Sequence, residues 1–222
     1  MCVNFILEID LRYARPLTYI ERLMKSKNKR GVAAGRKLLK IYEAWKTSLS
    51  IDDFLYFLRL IQYDLKEDIM LSLKGMIQMV GQFRAYSFEE FLMDLIKKKL
   101  KELNKPLEVL WNEKLPIWKA PTNEEYAATF DIAIIKRVNG KITPLIVIEA
   151  KVDVDAPRLK TALFNSILLK NIYPDVKYGL VYVNWNADVI LMSLARNFLD
   201  AIFNFNSESE VKRFLDFIEL NL

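Results

Sequence analysis

The chain of 222 residues is 52% hydrophobic and carries a formal net charge of +5. Such a length can bury one full hydrophobic core and a smaller second unit. The chain has no histidine and a single cysteine, which excludes Ser-His-Asp and Cys-His catalysis, histidine-ligated zinc, thiolate clusters and internal disulfides. Any chemistry must therefore use carboxylates, lysines, hydroxyls and a hard, oxygen-binding cation such as Mg²⁺.

The N-terminal segment has neither a basic region nor a small-residue cleavage site, so we expect no secretory signal. The longest uncharged run is ten residues, Tyr178 to Ala187, about half of the roughly 20 that span a bilayer. The single cysteine, Cys2, suits a reducing compartment. We therefore expect a soluble, cytoplasmic protein with no membrane segment.

The first eighty residues follow a helical pattern. Apolar residues recur at helical spacing along residues 38–45 and again along residues 54–65. Ser50 is placed to cap the second of these helices, because Asp52 and Asp53 follow it in the first turn. We therefore expect residues 1–82 to form an all-helical N-terminal domain.

Positive charge is concentrated near the start of this helical region. Between residues 21 and 40 there are eight basic residues against one acid, Glu21, and a second basic group occupies residues 97–101. Such clusters suit a polyanion, whose binding releases condensed counterions; a solvated helix face is the alternative interpretation. The candidate nucleic-acid contacts in the first cluster are Lys25, Lys27, Lys29, Arg30, Arg36 and Lys37.

The pattern changes at Ser87. The stretch "SFEEFLMDLIKKKLKEL" predicts an amphipathic helix that begins with a cap at Ser87 and ends in lysines, which complement the helix dipole. Three extended segments follow, and Asn139-Gly140 joins the last two as a hairpin turn. The extended segments are Glu108–Trp118, Tyr126–Arg137 and Ile142–Val152.

A second helix and a fourth strand complete the predicted core. The helix runs from about Ala156 to Lys170, with Pro157 in its first turn. The stretch "VKYGLVYVNW" predicts a buried strand, and the remaining residues predict two helices. The resulting α/β (α+β) unit, residues 83–222, has the order α-β-β-β-α-β with appended helices, which implies a mixed sheet with helices packed on it.

The stretch "IVIEAK" places opposite charges at the end of an apolar strand. Because alternate side chains share a face of a strand, Glu149 and Lys151 point the same way as Val147. Asp131 on the preceding strand meets Glu149 only if the hairpin has an odd register or a bulge. We expect the odd register, with Val138 no longer opposite Lys141 and with Gly140 left-handed or near a bulge.

These residues resemble the signature of the PD-(D/E)XK nuclease superfamily, which has the restriction-endonuclease-like fold. Asp131 is followed after seventeen residues by Glu149-Ala150-Lys151, and the core order from about Ser87 to Asn184 is similar to that of the superfamily. One departure is Phe130, where the signature has proline. Of the acids near the start of the first core helix, Glu89 matches best and Glu90 next.

The resemblance implies a metal-dependent nuclease site. Asp131, Glu149 and the carbonyl of Ala150 would hold Mg²⁺, for which Mn²⁺ would substitute, and Lys151 would orient or deprotonate a water and contact phosphate. Glu89 would bind a second metal directly or through water. Simpler interpretations remain: an ion pair for Glu149 and Lys151, a turn cap for Asp131, and an ordinary first-turn acid for Glu89.

The chain contains a second set of matching letters. Pro174-Asp175 is followed by Glu210-Val211-Lys212, but the latter lies in a stretch with helical periodicity. Carboxylates so placed cannot share a strand hairpin, and this pair is therefore rejected. Asp155 is expected to cap the helix after the motif, and Asp153 lies on the same strand face as Lys151.

The sequence thus predicts a Mg²⁺-dependent DNA endonuclease that acts as a homodimer, since cutting both strands of a duplex usually requires two sites. Arg158 and Lys160, on the helix after the motif, are candidate phosphate contacts, with a solvated helix face as the alternative interpretation. The N-terminal helices are candidates for DNA binding or dimerisation. Two alternatives remain: a non-cleaving nucleic-acid-binding or assembly protein that keeps the fold, and a helical interaction protein with solubilising basic stretches.

Overall fold

The computed structural model describes residues 15–73 and 77–222. The expectations for the N-terminal segment, including Cys2, lie outside these residues. The helices are α1 (Pro16–Met24), α2 (Lys29–Ser48), α3 (Ile51–Arg59) with a π-helical turn (Leu60–Asp64), α4 (Lys66–Ser72), α5 (Ile77–Glu102), α6 (Ala156–Ile172), α7 (Val189–Ala195) and α8 (Glu208–Leu220). The strands are β1 (Glu108–Lys119), β2 (Glu125–Val138), β3 (Lys141–Val154), β4 (Lys177–Trp185) and β5 (Ala201–Asn204). No helix in the described ranges is both long and apolar enough to cross a membrane.

The N-terminal helices are held together by aromatic packing. Trp45 of α2 is fully buried and meets Phe54 of α3 edge to face, with ring centroids 5.6 Å apart. Phe54 in turn stacks on Phe91 of α5 at 4.3 Å, so the helical region packs directly on the first core helix. Helix α3 begins after Ser50 as predicted, but the Ser50 side chain makes no cap bond.

Helix α5 is longer than the sequence predicts. It runs from Ile77 to Glu102, so the expected start at Ser87 is wrong. The Ser87 hydroxyl donates a 2.6 Å hydrogen bond to the carbonyl of Phe83, four residues earlier, instead of capping the helix. Helix α5 passes residue 82 without interruption, and the core cluster it belongs to includes side chains from both sides of that position. The division into domains at residues 82 and 83 stays a prediction.

The sheet is mixed, as predicted. Its strand order is β1-β2-β3-β4-β5, with antiparallel pairing from β1 to β3 and parallel pairing from β3 to β5. Helix α6 makes the crossover between β3 and β4. The four-residue strand β5, between α7 and α8, was not predicted.

Each face of the sheet covers its own hydrophobic cluster. Ile146, Ile148 and Ala150 of β3 point to the cluster that contains α5, α8 and the N-terminal helices. Val147 of the same strand and Tyr178 of β4 point to the cluster formed with α6. Successive side chains of β3 therefore point alternately to the α5 face and to the α6 face of the sheet.

The β2–β3 hairpin corrects one prediction and confirms another. Val138 pairs with Lys141 around the two-residue Asn139-Gly140 turn, so the odd register expected at the loop is wrong. The pairing shifts further along: Ile135 is opposite Pro144, but Ile134 is opposite Ile146. Leu145 is therefore bulged, which suits a strand whose preceding proline has no N–H to donate. Gly140 is left-handed, with φ of 79°, as expected.

Candidate active site

The bulge brings the carboxylates of two neighbouring strands to one face. The last β2–β3 pair is Ile132 with Ile148, and continuing this register places Asp131 beside Glu149. Asp131 Oδ2 accepts hydrogen bonds from the backbone N–H of Ala150 at 2.8 Å and from Lys151 Nζ at 2.5 Å. Lys151 Nζ also lies 2.8 Å from Glu149 Oε2. The predicted convergence of the two carboxylates is confirmed, with the Lys151 ammonium between them.

Burial and mutual charge set the protonation of this group. Burial raises the pKa of Asp131 to about 6, although the Lys151 ammonium opposes the rise. Burial also acts on Glu149, but the charge of Lys151 and hydrogen bonds from Lys151 and Tyr178 hold the pKa of Glu149 below its usual value. Burial alone would lower the pKa of Lys151, but its two carboxylate partners raise that pKa above its usual value. Lys151 is therefore an ammonium at neutral pH.

Tyr178 is a site residue that the sequence analysis missed. Its hydroxyl donates a 2.8 Å hydrogen bond to Glu149 Oε1, and its side chain is fully buried. The parallel pairing of β4 with β3, which places Tyr178 beside Val147, brings it there. A tyrosine within the apolar stretch "VKYGLVYVNW" was the available signal, because a buried hydroxyl requires a hydrogen-bond partner.

Glu89 reaches the site from α5 and is held by uncharged donors. Its Oε2 accepts hydrogen bonds from Trp111 Nε1 at 2.5 Å and from Asn112 Nδ2 at 2.9 Å. Burial and the nearby charge of Asp131 raise the pKa of Glu89 well above its usual value. By contrast, Glu90, the second choice from the sequence, accepts hydrogen bonds from Tyr42 and Lys46 of α2 at 2.9 Å.

Asn112 has an unusual backbone conformation for a strand. Its φ is 51°, in the left-handed region, within β1. Its neighbours pair with Ile132 and Phe130, so Asn112 lies opposite Asp131. Left-handed residues other than glycine cost free energy and occur where surrounding contacts impose them. At Asn112 the imposed contact is the hydrogen bond to Glu89.

A cleft of about 360 Å³ opens beside Lys151. Its walls come from α5, from the end of β3 and from the first turn of α6. Arg84 of α5 lines the cleft and pairs with Asp153, which also accepts a 2.9 Å hydrogen bond from Asn184. Asp155 caps α6 through the N–H of Arg158, as predicted. The lining residues are Gln78, Gly81, Gln82, Arg84, Ala85, Glu89, Ala150, Lys151, Val152, Asp153 and Arg158.

The donor set suits a hard cation, although the carboxylates are not preassembled around one. Asp131, Glu149 and Glu89 are three carboxylates with one ammonium among them, which leaves an excess of oxygen donors and negative charge. Within residues 15–73 and 77–222, no group of three or more acidic, histidine or cysteine side chains is arranged to hold a metal ion. Lys151 Nζ lies within 2.8 Å of both Asp131 and Glu149. It therefore lies where these two carboxylates would attract a metal cation.

The other predicted residues lie away from the cleft. The six basic residues proposed on α1 and α2 and the loop between them are all exposed, as is Lys160, and none lines the cleft. Arg30, one of the six, pairs with Asp68 at 2.7 Å. Of the predicted nucleic-acid contacts, only Arg158 is at the cleft. Of the rejected second motif, Glu210 lies on α8 and pairs with Arg213, while Asp175 is exposed ahead of β4.

Solved structures similar to this chain include the following two. The A2B2 tetramer of BbvCI matches 85% of this chain and 82% of its own, at 14% identity and a TM-score of 0.45. The complex of restriction endonuclease PspGI with substrate DNA matches 94% and 93%, at 13% identity and a TM-score of 0.49. No family model matches the sequence, and no curated protein matches it.

The order of elements in the chain follows the α-β-β-β-α-β order predicted from the sequence. A long first helix precedes three antiparallel strands, a crossover helix and two parallel strands, and Asp131, Glu149 and Lys151 meet where β2 ends its pairing with β3. The chain therefore has an α+β fold with a mixed, five-stranded sheet, and its element order resembles that of the restriction-endonuclease-like core.

Proposed function

We propose that this protein is a metal-dependent endonuclease that hydrolyses phosphodiester bonds of DNA. The observation that supports the proposal is the meeting of Asp131, Glu149 and Lys151 on two neighbouring strands beside an open, partly basic cleft. Burying these three charged groups costs free energy. A purely structural ion pair requires only one acid and one base, and burying it would cost less free energy. Two strand carboxylates and a third on α5 suit phosphate chemistry at a cation.

Each residue has a proposed role. Asp131, Glu149 and the carbonyl of Ala150 would hold Mg²⁺ or Mn²⁺, which lowers the pKa of water and neutralises charge on phosphate. Lys151, which is protonated at neutral pH, donates hydrogen bonds to the scissile phosphate or to the attacking water and stabilises the developing negative charge. Glu89 provides a further carboxylate on the α5 side of the cleft.

The proposed substrate contacts extend outward from the cleft. Arg158 lines it and is exposed, which suits a phosphate contact, and Lys160 lies on the same helix. The exposed basic residues around α1 and α2 are proposed to add sequence-independent attraction to DNA. Because duplex cleavage requires a site for each strand, we propose a homodimer.

The test is a cleavage assay on duplex, junction, flap and single-stranded DNA with Mg²⁺, with Mn²⁺ and with chelator. We expect cleavage only with a divalent cation, and a loss of at least about 100-fold in Asp131→Ala, Glu149→Ala and Lys151→Ala. Matched controls are Asp175→Ala and Lys212→Ala, which remove the same residue types from the second motif. Circular dichroism of each variant checks the fold. Cation-independent cleavage, or full activity in Lys151→Ala, would contradict the proposal.

One observation favours a second candidate function. Lys151 lies between Asp131 and Glu149 and neutralises part of their charge. A non-cleaving nucleic-acid-binding protein of this fold would keep the same ion cluster. Such a protein would bind DNA in a salt-dependent way but show no cleavage with any cation. Its thermal stability would also be insensitive to Mg²⁺ and Mn²⁺, whereas an intact carboxylate site is stabilised by a bound cation.

A further inference from the structure

A second polar pocket lies two strands along the sheet from Lys151. Its volume is about 350 Å³, and it is formed by the ends of β4 and β5 together with α7 and α8. The pocket therefore lies at the carboxyl ends of two parallel strands. The lining residues are Tyr182, Met192, Arg196, Ile202, Asn204, Asn206, Glu210 and Arg213.

Strand register connects this pocket with the cleft. In β3, β4 and β5, Lys151 is beside Tyr182, and Tyr182 is beside Asn204. Partners in register share a face, so the pocket opens on the same face of the sheet as Lys151. Neighbouring strands are about 4.8 Å apart, which places Asn204 roughly 10 Å from Lys151.

Polar side chains also lie beyond this register position. Asp153 pairs with Asn184 of β4 and accepts a 2.9 Å hydrogen bond from the Asn184 side chain. Asp153 lines the cleft, Asn184 is exposed, and Asn206 lines the pocket just past the end of β5. The charge of Asp153 is compensated by Arg84. Both openings are therefore flanked by uncharged or compensated polar groups.

The pocket has one available cation and one unpaired acceptor. Arg196 is exposed and, among the described residues, has no salt bridge or side-chain hydrogen bond, whereas Arg213 is already paired with Glu210 at 2.6 Å. The Asn204 side-chain oxygen is buried without a hydrogen-bond partner in the described parts of the chain. Buried acceptors normally have partners, so this one is suited to a donor from a ligand or water.

We propose that this pocket binds the DNA strand that is cut, on one side of the scissile bond. Arg196 contacts a backbone phosphate, and Asn204 accepts a hydrogen bond from the neighbouring nucleotide. Measured along the duplex axis, where each nucleotide of one strand adds about 3.4 Å, the roughly 10 Å from Lys151 to Asn204 corresponds to about three nucleotides. This inference rests on the proposed function for the position of the scissile bond, but binding can be tested without cleavage.

The first experiment measures binding alone. Fluorescence anisotropy with a labelled 20-nucleotide duplex, in chelator, compares the wild type with Arg196→Ala, Arg196→Lys and Arg59→Ala. Arg59 is an exposed arginine of α3 that serves as the control for lost charge. We expect Arg196→Ala to weaken binding about 3- to 10-fold and to reduce the salt slope by about one, with Arg196→Lys near wild type. Equal effects of Arg196→Ala and Arg59→Ala would overturn the proposal.

The second experiment locates the contact along the strand. If the protein cleaves DNA, Arg196→Ala should lower kcat/KM about 10-fold on the full substrate. The same comparison is made on two shortened substrates, each of which ends within two nucleotides of the cut on one side. One of the two truncated substrates should abolish the difference between variant and wild type. If Arg196→Ala is impaired equally on both, the pocket does not hold the strand. If nothing is cleaved but Arg196→Ala still weakens binding selectively, the proposed function fails and the DNA contact stands.

Discussion

Lys151 allows two carboxylates to be buried side by side. Asp131 and Glu149 are each less than one-fifth exposed, and like charges at such positions repel strongly. The single ammonium compensates part of the charge of the two carboxylates, and burial still raises the pKa of Asp131 to about 6. We therefore expect the cation-free protein to be less stable than a variant with a neutral side chain at residue 131, as is typical of sites that bind a charged ligand.

This imbalance predicts that Asp131→Asn stabilises the cation-free protein. The pKa of Asp131 is about 6 in the folded chain and about 3.9 when unfolded, so the folded state binds the proton more tightly. Wild-type stability should fall as pH rises from 4 to 6, whereas the variant lacks this loss. Thermal unfolding in chelator should show an advantage of about 2 kcal/mol for Asp131→Asn above pH 6, shrinking towards pH 4. A pH-independent difference would contradict the argument.

Tyr178→Phe tests the support of Glu149. The variant removes the hydroxyl that donates to Glu149 Oε1 but keeps the buried ring, which packs against Phe130. Hydrogen-bond partners of ligating carboxylates typically contribute 10- to 100-fold to metal affinity or activity. We expect a loss of this size in Mn²⁺ affinity by calorimetry and in cleavage. Tyr126→Phe, an exposed position, is the control, and equal effects of the two variants would refute a role for Tyr178.

Asn112→Gly separates stability from activity. Glycine adopts a φ of 51° without strain, so the free energy of unfolding should change by less than about 1 kcal/mol despite the lost hydrogen bond to Glu89. Cleavage should nevertheless fall about 10-fold, because Glu89 loses one of its two donors. Asn139→Gly, at a turn residue with φ of 50°, should leave activity unchanged. Full activity of Asn112→Gly would show that Asn112 does not position Glu89.

The sequence identified the residues of this site better than the contacts that support them. Alternation along one strand suffices to place Glu149 and Lys151 together. Tyr178 and Asn112 act through pairings with other strands, and a parallel register leaves no local signal in a single sequence. The left-handed Asn112 in particular breaks the strand pattern that identified β1.

At the scale of elements, the bulge at Leu145 decides whether a site forms. The Asn139-Gly140 turn alone would place Asp131 and Glu149 on opposite faces, since a shift of one residue reverses every side chain. The extra residue in β3 restores the common face beyond Pro144. The sequence predicted that Asp131 and Glu149 converge but not where the register of β2 and β3 shifts. An odd loop and a bulge produce the same pairing at these two residues.

Other elements show where local patterns fail. Ser87 has the composition of a cap, but apolar residues before it continue the same buried face, and tertiary packing extends α5 through it. Strand β5 has four residues, too few for a periodic signal. Strand β5 is identified by its parallel pairing with β4, which the sequence alone does not show.

Helices α2 and α5 are joined by a second, partly buried ion cluster, and removing its ammonium should destabilise the protein. Lys46 contacts both Glu90 and Asp94, and Glu90 Oε2 is already buried without a partner among the described residues. Lys46→Met would leave these carboxylates uncompensated and lower the free energy of unfolding by about 2 kcal/mol. Urea unfolding should show this loss, and the double variant Lys46→Met/Glu90→Gln should recover part of it. No recovery would mean that Lys46 acts by packing alone.

At the scale of the whole molecule, the N-terminal helices and the sheet share one hydrophobic cluster. It combines Trp45 and Phe54 with Phe91 of α5, with Ile148 of β3 and with Phe205, which follows β5. The domain division predicted at residue 82 therefore falls within a continuous helix and beside a continuous core. Predicting such sharing from the sequence was not feasible, since periodicity reports which face of a helix is buried but not which element covers it.

This shared core predicts that residues 83–222 do not fold alone. The truncation would remove most of the aromatic side chains that cover Phe88 and Phe91, expose a large apolar surface on α5 and cut that helix after its sixth residue. We expect the fragment to aggregate or to unfold without a cooperative transition, whereas the full chain unfolds in one step. A fragment of residues 15–222, which keeps the shared core, is the control. Cooperative unfolding of 83–222 with cleavage activity would instead establish two independent domains, and the N-terminal helices would then serve DNA binding or dimerisation alone.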